Sequence, residues 1–149
     1  MARKRNHRMQ HRRTPLVPVT FSLQKGCLDR SNLIARQALD ALLSGAADDQ
    51  HVATMMSVAM YSVKLAARLQ DDQSADEAEL LRAKSAADEG LAALRSVIAR
   101  RAELGRIGCS GAERQALIAL ADVHEAIDTV ATRRQSRDAF VAVLEEAAG

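Results

Sequence analysis

The residue types that could do chemistry are concentrated in the first thirteen residues of the chain. Six of these residues are cationic and none is acidic: Arg3, Lys4, Arg5, Arg8, Arg12 and Arg13. Clustered Arg and Lys side chains neutralise nucleic-acid phosphates and release condensed counterions, which makes such binding sensitive to salt. These six side chains therefore form a predicted nucleic-acid-binding site. The alternatives are docking on an acidic protein or membrane surface, and a solvated tail without a partner.

The remainder of the chain has the opposite charge. The first carboxylate is that of Asp29, and the whole chain has 21 Lys and Arg against 19 Asp and Glu. Without the six N-terminal cations, 15 remain against 19, so the N-terminal segment carries +6 and the rest −4. We call residues 1–15 the basic arm. No aromatic residue lies between its cations, so base stacking is not predicted, and binding would be to the backbone of DNA or RNA.

His124 and Asp128 are a second candidate for chemistry, because they lie four residues apart and share one side of a helix. The pair could ligate a metal, but no other histidine-rich element completes a site. A histidine at the edge of an apolar stripe is more often a packing residue, and we assign His124 that role. We predict neither a metal nor a cofactor.

The two cysteines, Cys27 and Cys109, are predicted to be reduced thiols. Cys109 stands just before a predicted helix start, where a thiolate is favoured. Nucleophilic catalysis also needs a base and an orienting group, and the sequence designates neither. Glycine-rich phosphate loops, zinc-finger spacings and hydrolase motifs are absent from the sequence. We therefore predict no catalytic residues and no enzymatic activity. No apolar run approaches the ~20 residues of a membrane span.

The composition predicts that helices position these residues. Apolar residues make up 48% of the chain but aromatic residues only 2%, so the apolar side chains are mainly those of Ala, Leu, Val, Ile and Met. Alanine and leucine are strong helix formers, whereas strands prefer β-branched and aromatic residues. We predict an all-α fold, in which a compact bundle of about five helices spans residues 16–149. The basic arm cannot bury its charges and is predicted to be disordered without a partner.

Caps and glycines divide the predicted bundle into its helices. Ser110 with Glu113 and Thr132 with Gln135 form capping boxes, in which the hydroxyl accepts from a backbone amide and the longer side chain reaches back. A glycine after a helical pattern marks a helix end. The predicted boundaries are a first helix from Asp29 or Ser31 to Gly45, a second from Asp48 or Asp49, a third from Ser74 or Asp76 to Arg100 and Arg101, a fourth from Ser110 and a fifth from Thr132.

The spacing of apolar residues predicts which sides of these helices are buried. The second helix is apolar around much of its circumference and is predicted to be central, with Met55, Met56 and Met60 filling the core. Gly90 lies inside the third helix and weakens it by about 1 kcal/mol relative to alanine. The predicted buried positions of the third and fifth helices are Leu80, Leu81, Ala87, Leu91, Leu94, Ile98, Ala102, Phe140, Val141 and Leu144.

Residues 16–24 alternate between apolar and polar side chains, which predicts a short extended segment. Pro18 restricts this segment to a sheet edge. An alternative is a ribbon-helix-helix DNA-binding fold, which has a basic arm, a strand and two helices in this order. In that fold Thr20, Ser22 and Gln24 would face the bases. A helix-turn-helix module at one of the glycine breaks is a further alternative.

The second half of the chain presents several residues in a recognisable order: Gly105, Glu113, Ala116, Leu117, His124, Asp128 and Thr132. Together with the Arg- and Lys-rich start, this order resembles small phage- and prophage-borne helical proteins of bacteria. That family has no settled function, so the resemblance implies no catalytic residues. It implies a cytoplasmic location in a bacterial or phage-infected cell.

These observations predict a non-enzymatic accessory protein of phage or prophage type. The basic arm would bind nucleic acid, while the helical body forms a homodimer or recruits another protein. The alternative is a protein–protein interaction module, an antagonist or adaptor of a host or phage complex, that docks its basic arm on an acidic surface.

Overall fold

Polar breaks divide the described part of the chain into five helices. The computed structural model describes residues 32–149, which we call the helical domain, and contains no strand within that range. The predicted all-α fold is confirmed. The basic arm, the extended segment at residues 16–24, the predicted boundary after residue 15 and the start of the first helix lie outside the described residues. The helices are α1 (32–44), α2 (Asp49–Asp71), α3 (Glu77–Leu104), α4 (Gly111–Val130) and α5 (Arg133–Ala148).

Local side-chain caps fix where these helices begin. The predicted capping boxes of α4 and α5 are confirmed, and Asp76 rather than Ser74 caps α3. A third box at the start of α2 was not predicted. There, the Asp48 carboxylate accepts from the His51 amide at 3.0 Å, and His51 Nδ1 accepts from the Asp48 amide at 3.2 Å. An imidazole thus takes the place that glutamate or glutamine usually has in such a box.

Glycines in the left-handed conformation end two of the helices. Gly45 has φ +77° after α1, as predicted, and Gly105 has φ +71° after α3. Side chains other than glycine are disfavoured there because of their Cβ atom. The predicted end of α3 at Arg100 and Arg101 is wrong by about one turn, because α3 continues to Leu104.

The central helix of the domain is α2, as predicted. It packs against α3, α4 and α5, and α3 also packs against α4. One cluster of buried side chains joins α1 to α2, α3 and α4, and includes Leu42, Met55, Leu94 and Leu117. A second cluster joins the C-terminal half of α2 to α5, around Leu69. Of the three predicted core methionines, Met55 is fully buried and the other two are half-buried.

The buried stripe of α3 differs from the predicted one. Leu80, Ala87 and Leu94 are buried as predicted and Leu91 is half-buried, but Leu81, Ile98 and Ala102 are exposed. The stripe includes Gly90 instead, because α3 and α4 come very close at this point. A Cβ atom on residue 90 would lie 2.8 Å from Cβ of Leu120. The glycine therefore allows a helix contact that alanine would obstruct, in addition to its cost in helix propensity.

The predicted burial of Phe140, Val141 and Leu144 in α5 is wrong. Their exposed fractions are 56%, 43% and 53%. We call these three residues the apolar α5 face. The buried residues of α5 are Gln135 and Ala139, on the opposite side of the helix.

Polar contacts with α2 and the following turn explain this orientation of α5. The Gln135 amide Nε2 donates to Asp72 Oδ2 at 2.9 Å and to Ser74 Oγ at 2.7 Å. Two ion pairs connect the same side of α5 to α2, namely Arg68 with Asp138 at 3.2 Å and Lys64 with Glu146 at 2.7 Å. The helix thus docks through Ala139 and these polar contacts, and leaves its apolar α5 face in solvent.

Candidate functional site

The six cations of the basic arm lie outside the described residues, so their geometry is not part of the structure. The helical domain is acidic, in contrast to the basic arm. It has 13 Lys and Arg against 18 Asp and Glu, a formal net charge of −5. Many of its cations are already bound to carboxylates. Arg36 Nη2, for example, lies 2.9 Å from Asp122 Oδ1 and 2.7 Å from Glu125 Oε2.

The most enclosed group of reactive side chains joins α2 to α4. We call Tyr61, Ser62, His124 and Asp128 the polar cluster. The Tyr61 hydroxyl donates to Asp128 Oδ1 at 2.9 Å, and Ser62 Oγ lies 3.3 Å from His124 Nδ1. The Tyr61 and His124 rings meet edge to face with centroids 5.6 Å apart. Ser62, His124 and Asp128 are buried, so the cluster is part of the interior.

The hydrogen bonds of Ser62 assign the protons of the cluster. The Ser62 hydroxyl donates to the Val58 carbonyl at 2.8 Å, which leaves its oxygen to accept from His124 Nδ1. Nε2 of His124 then holds the lone pair, and it has no partner among the described residues. The Ser62 proton points at the backbone, and the Asp128 oxygen is bound by Tyr61 rather than by His124. The group therefore lacks the geometry of a serine nucleophile activated by histidine.

Burial sets the protonation of the polar cluster. Desolvation lowers the pKa of His124, although the nearby carboxylates of Asp128 and Glu125 oppose this and Arg36 adds to it. Desolvation also raises the pKa of Tyr61 well above its usual range. At neutral pH, His124 is a neutral packing residue and Tyr61 a neutral donor. This position fits the packing role predicted for His124.

The buried His124 should make the helical domain sensitive to mild acid. Below about pH 6.5 the unfolded chain binds a proton at this imidazole that the folded chain resists. The free energy of unfolding therefore decreases as the pH is lowered. The decrease from this residue is at most about 1.4 kcal/mol per pH unit. Urea unfolding between about pH 7.5 and about pH 5 should show a weaker pH dependence for His124→Gln than for the wild type.

His51→Gln is the matched control, because His51 lies in the capping box at the start of α2 rather than in the polar cluster. This variant should keep the cap, because glutamine is a usual reaching residue of such a box, and it should retain the pH dependence that arises from His124. Identical pH dependence in the two variants would rule out His124 as the origin of the effect.

Cys109 lies in the connection between α3 and α4 and is half-buried. Burial raises the pKa of its thiol, and the Glu113 carboxylate raises it further. The helix start therefore does not favour a thiolate at Cys109, and its position fits the interpretation as a packed thiol. Cys27, the other cysteine, lies outside the described residues.

The same connection is fastened by Arg100. Its guanidinium binds both carboxylate oxygens of Glu113, at 2.9 and 2.6 Å, and donates to the Gly108 carbonyl at 2.7 Å. Glu113 also accepts from the Ser110 amide at 2.6 Å. The hydrogen bond from Arg100 lowers the pKa of Glu113, against the opposing effect of partial burial. We call this arrangement the α3–α4 clasp.

Two open grooves lie near the C-terminal end of α3. One, of about 390 Å³, lies between α2 and α3 beside Met56 and Ile98, next to the ion pair of Arg101 with Asp49. The other, of about 420 Å³, lies beside Arg106 and Cys109. Neither groove gathers a nucleophile, a base and an orienting group. Residues 32–149 contain no group of three or more His, Cys, Asp or Glu that could hold a metal. No helix in this range has the length and apolarity needed to cross a membrane.

Two features of the domain were missed by sequence reasoning. The first is the polar cluster: the apolar pattern of the second helix includes Tyr61, and a buried tyrosine hydroxyl usually needs a hydrogen-bond partner. This requirement, together with the predicted pair of His124 and Asp128, was the signal in the sequence that could have indicated the cluster. For the exposed apolar α5 face, the sequence offered the amphipathic pattern but not its orientation.

Known proteins add no assignment of function. Compared with protein-family models, with curated proteins and with solved structures, the chain matches none. The resemblance to phage- and prophage-borne proteins therefore stays a prediction.

Proposed function

We propose that this protein is a non-enzymatic accessory protein of phage or prophage type that binds nucleic acid through its basic arm. The helical domain would form a dimer or recruit another protein. The single observation that carries the proposal is the separation of charge along the chain. Six cations occur in the first thirteen residues with no carboxylate before Asp29, whereas residues 32–149 carry a net charge of −5. The proposed location is the cytoplasm of a bacterial or phage-infected cell.

The ion pairs of the helical domain support this division of labour. Arg36, Arg100 and Arg101 bind carboxylates of neighbouring helices, so their charges are neutralised within the bundle. A domain of net negative charge repels the phosphate backbone at long range. Affinity for nucleic acid would then come from the basic arm, and the contacts would be to phosphates rather than to bases.

A second candidate function is a protein-interaction module, an antagonist or adaptor of a host or phage complex, whose basic arm docks on an acidic protein. The exposed apolar α5 face favours this candidate, because contiguous apolar surface often marks a protein contact. The two candidates differ in salt dependence. Phosphate binding weakens steeply as salt is added, whereas apolar contacts persist.

A salt series on the full chain tests the proposal. Six phosphate contacts predict a slope of log affinity against log salt of about −5, from about −0.9 per contact on duplex DNA. Fluorescence anisotropy with labelled duplex DNA and duplex RNA would measure the slope and show which duplex binds more tightly. A slope near zero, or no binding to either duplex at about 50 mM salt, would refute the proposal.

A further inference from the structure

The apolar α5 face is a candidate interaction surface because of its position on the helix. At about 100° per residue, Val141 and Leu144 lie on the side of α5 opposite the buried Gln135 and Ala139, and Phe140 adjoins them. All three apolar side chains are about half exposed. A helix normally turns such a stripe toward a core or a partner.

Charged residues at the two ends of this face show which partner it fits. Arg137 lies one turn before Val141, in line with the apolar stripe, and Glu145 lies at its edge, one turn after Val141. Both side chains are exposed and form no ion pair with the described residues. The charges on the inner side of α5 are used differently, because Asp138 binds Arg68 and Glu146 binds Lys64.

We propose that the apolar α5 face binds the same face of a second copy of this chain, with the two α5 helices antiparallel about a two-fold axis near Val141. In this arrangement Arg137 of one subunit comes opposite Glu145 of the partner subunit, and the symmetry forms the contact twice. A parallel pair would place Arg137 against its own copy. The inference rests on the dimerisation part of the proposed function and requires no nucleic acid.

The exposed charges of α5 favour an antiparallel copy over a lipid surface. Arg133, Arg134 and Arg137 are exposed at its N-terminal end, whereas Glu145 and Glu146 lie at its C-terminal end. An anionic membrane would attract the first end but repel the second. An antiparallel copy brings the cationic end of each helix to the acidic end of its partner, so that Glu145 meets Arg137.

The length of the contact indicates a reversible dimer. The helix has 16 residues and is therefore about 24 Å long. One pair of such helices buries less than the roughly 800 Å² per partner of a standard stable interface. The dimer should therefore dissociate on dilution.

Sedimentation velocity of the full chain over a concentration series tests the inference. The wild type should shift from monomer to dimer as concentration rises. Leu144→Asp should remain monomeric, and Leu81→Asp, at an equally exposed leucine on α3, is the matched control and should dimerise normally. Circular dichroism shows whether each variant is folded. Arg137→Glu and Glu145→Arg should each weaken the dimer by about tenfold, and the double variant should restore it.

Several results would overturn the inference. These are a wild type that stays monomeric at every concentration, a dimer that survives Leu144→Asp, and charge variants that are not rescued in the double substitution. Full-length monomer that binds vesicles of phosphatidylcholine and phosphatidylserine through Leu144 would assign the face to a membrane instead. Duplex binding by the same monomer would leave the nucleic-acid proposal standing, so the two failures are distinguishable.

Discussion

Replacing the six cations of the basic arm with glutamine is expected to weaken duplex binding by about 10³-fold or more at about 50 mM salt. The variant loses the six charges whose counterion release would supply the affinity, and the −5 helical domain offers no substitute. The slope of log affinity against log salt should fall from about −5 toward zero. Fluorescence anisotropy measures both quantities, and circular dichroism should show an unchanged helical content.

The control for this variant changes charge by the same amount elsewhere. Six exposed cations of the helical domain can be replaced with glutamine: Arg82, Lys84, Arg95, Arg106, Arg114 and Arg133. None of them forms a salt bridge within the described residues, so the fold should persist. This variant should keep most of the duplex affinity and nearly the same salt slope. Equal losses in the two variants would mean that net charge, and not the basic arm, governs binding.

Gly90→Ala is expected to destabilise the protein by about 1–3 kcal/mol, the usual cost of overpacking a helix contact. Helix propensity alone predicts the opposite, a gain of about 1 kcal/mol. The contact decides the sign, because the added Cβ would lie 2.8 Å from Cβ of Leu120, an atom that can move only with its backbone. α3 and α4 must therefore separate. Urea unfolding of the full chain would measure the change.

Gly111→Ala is the matched control, since a Cβ on Gly111, the first residue of α4, meets no atom within 4 Å. This variant should be as stable as the wild type or slightly more stable. Leu120→Ala provides a second check, because it removes Cδ2 and Cγ, which would lie 2.9 and 3.2 Å from the added Cβ, but keeps the Cβ at 2.8 Å. Only part of the overlap is relieved, so the double variant should be destabilised by slightly less than the sum of the two single variants. A stabilised Gly90→Ala variant would show that the two helices are not in close contact.

Helix boundaries could be predicted from the sequence because they depend on neighbouring residues. The boxes that start at Ser110 and Thr132 involve side chains three residues apart, and Gly45 ends α1 through its own backbone conformation. The box at Asp48 was missed because histidine is not the usual reaching residue.

The orientation of the helices could not be predicted in the same way, because it depends on contacts distant in sequence. The amphipathic pattern of α5 identifies an apolar stripe, but Gln135 binds Asp72 and Ser74, more than sixty residues away, and turns the stripe outward. Gly90 is similar, because its role depends on Leu120 in another helix. The polar cluster likewise required the register of α2 against α4. The candidate nucleic-acid site depends on the sequence alone.

The α3–α4 clasp affects how the free energy of unfolding of the domain depends on pH. A carboxylate whose pKa is lowered in the fold stabilises it until the pH falls through that lowered value, so the bond between Arg100 and Glu113 outlasts ordinary carboxylate pairs. The neutral His124 between α2 and α4 loses its advantage much earlier, already below about pH 6.5. As the pH falls, the free energy of unfolding therefore loses the contribution of His124, between α2 and α4, before it loses that of Glu113, between α3 and α4. Both residues belong to α4, so this helix carries one contribution sensitive to mild acid and one that persists to lower pH.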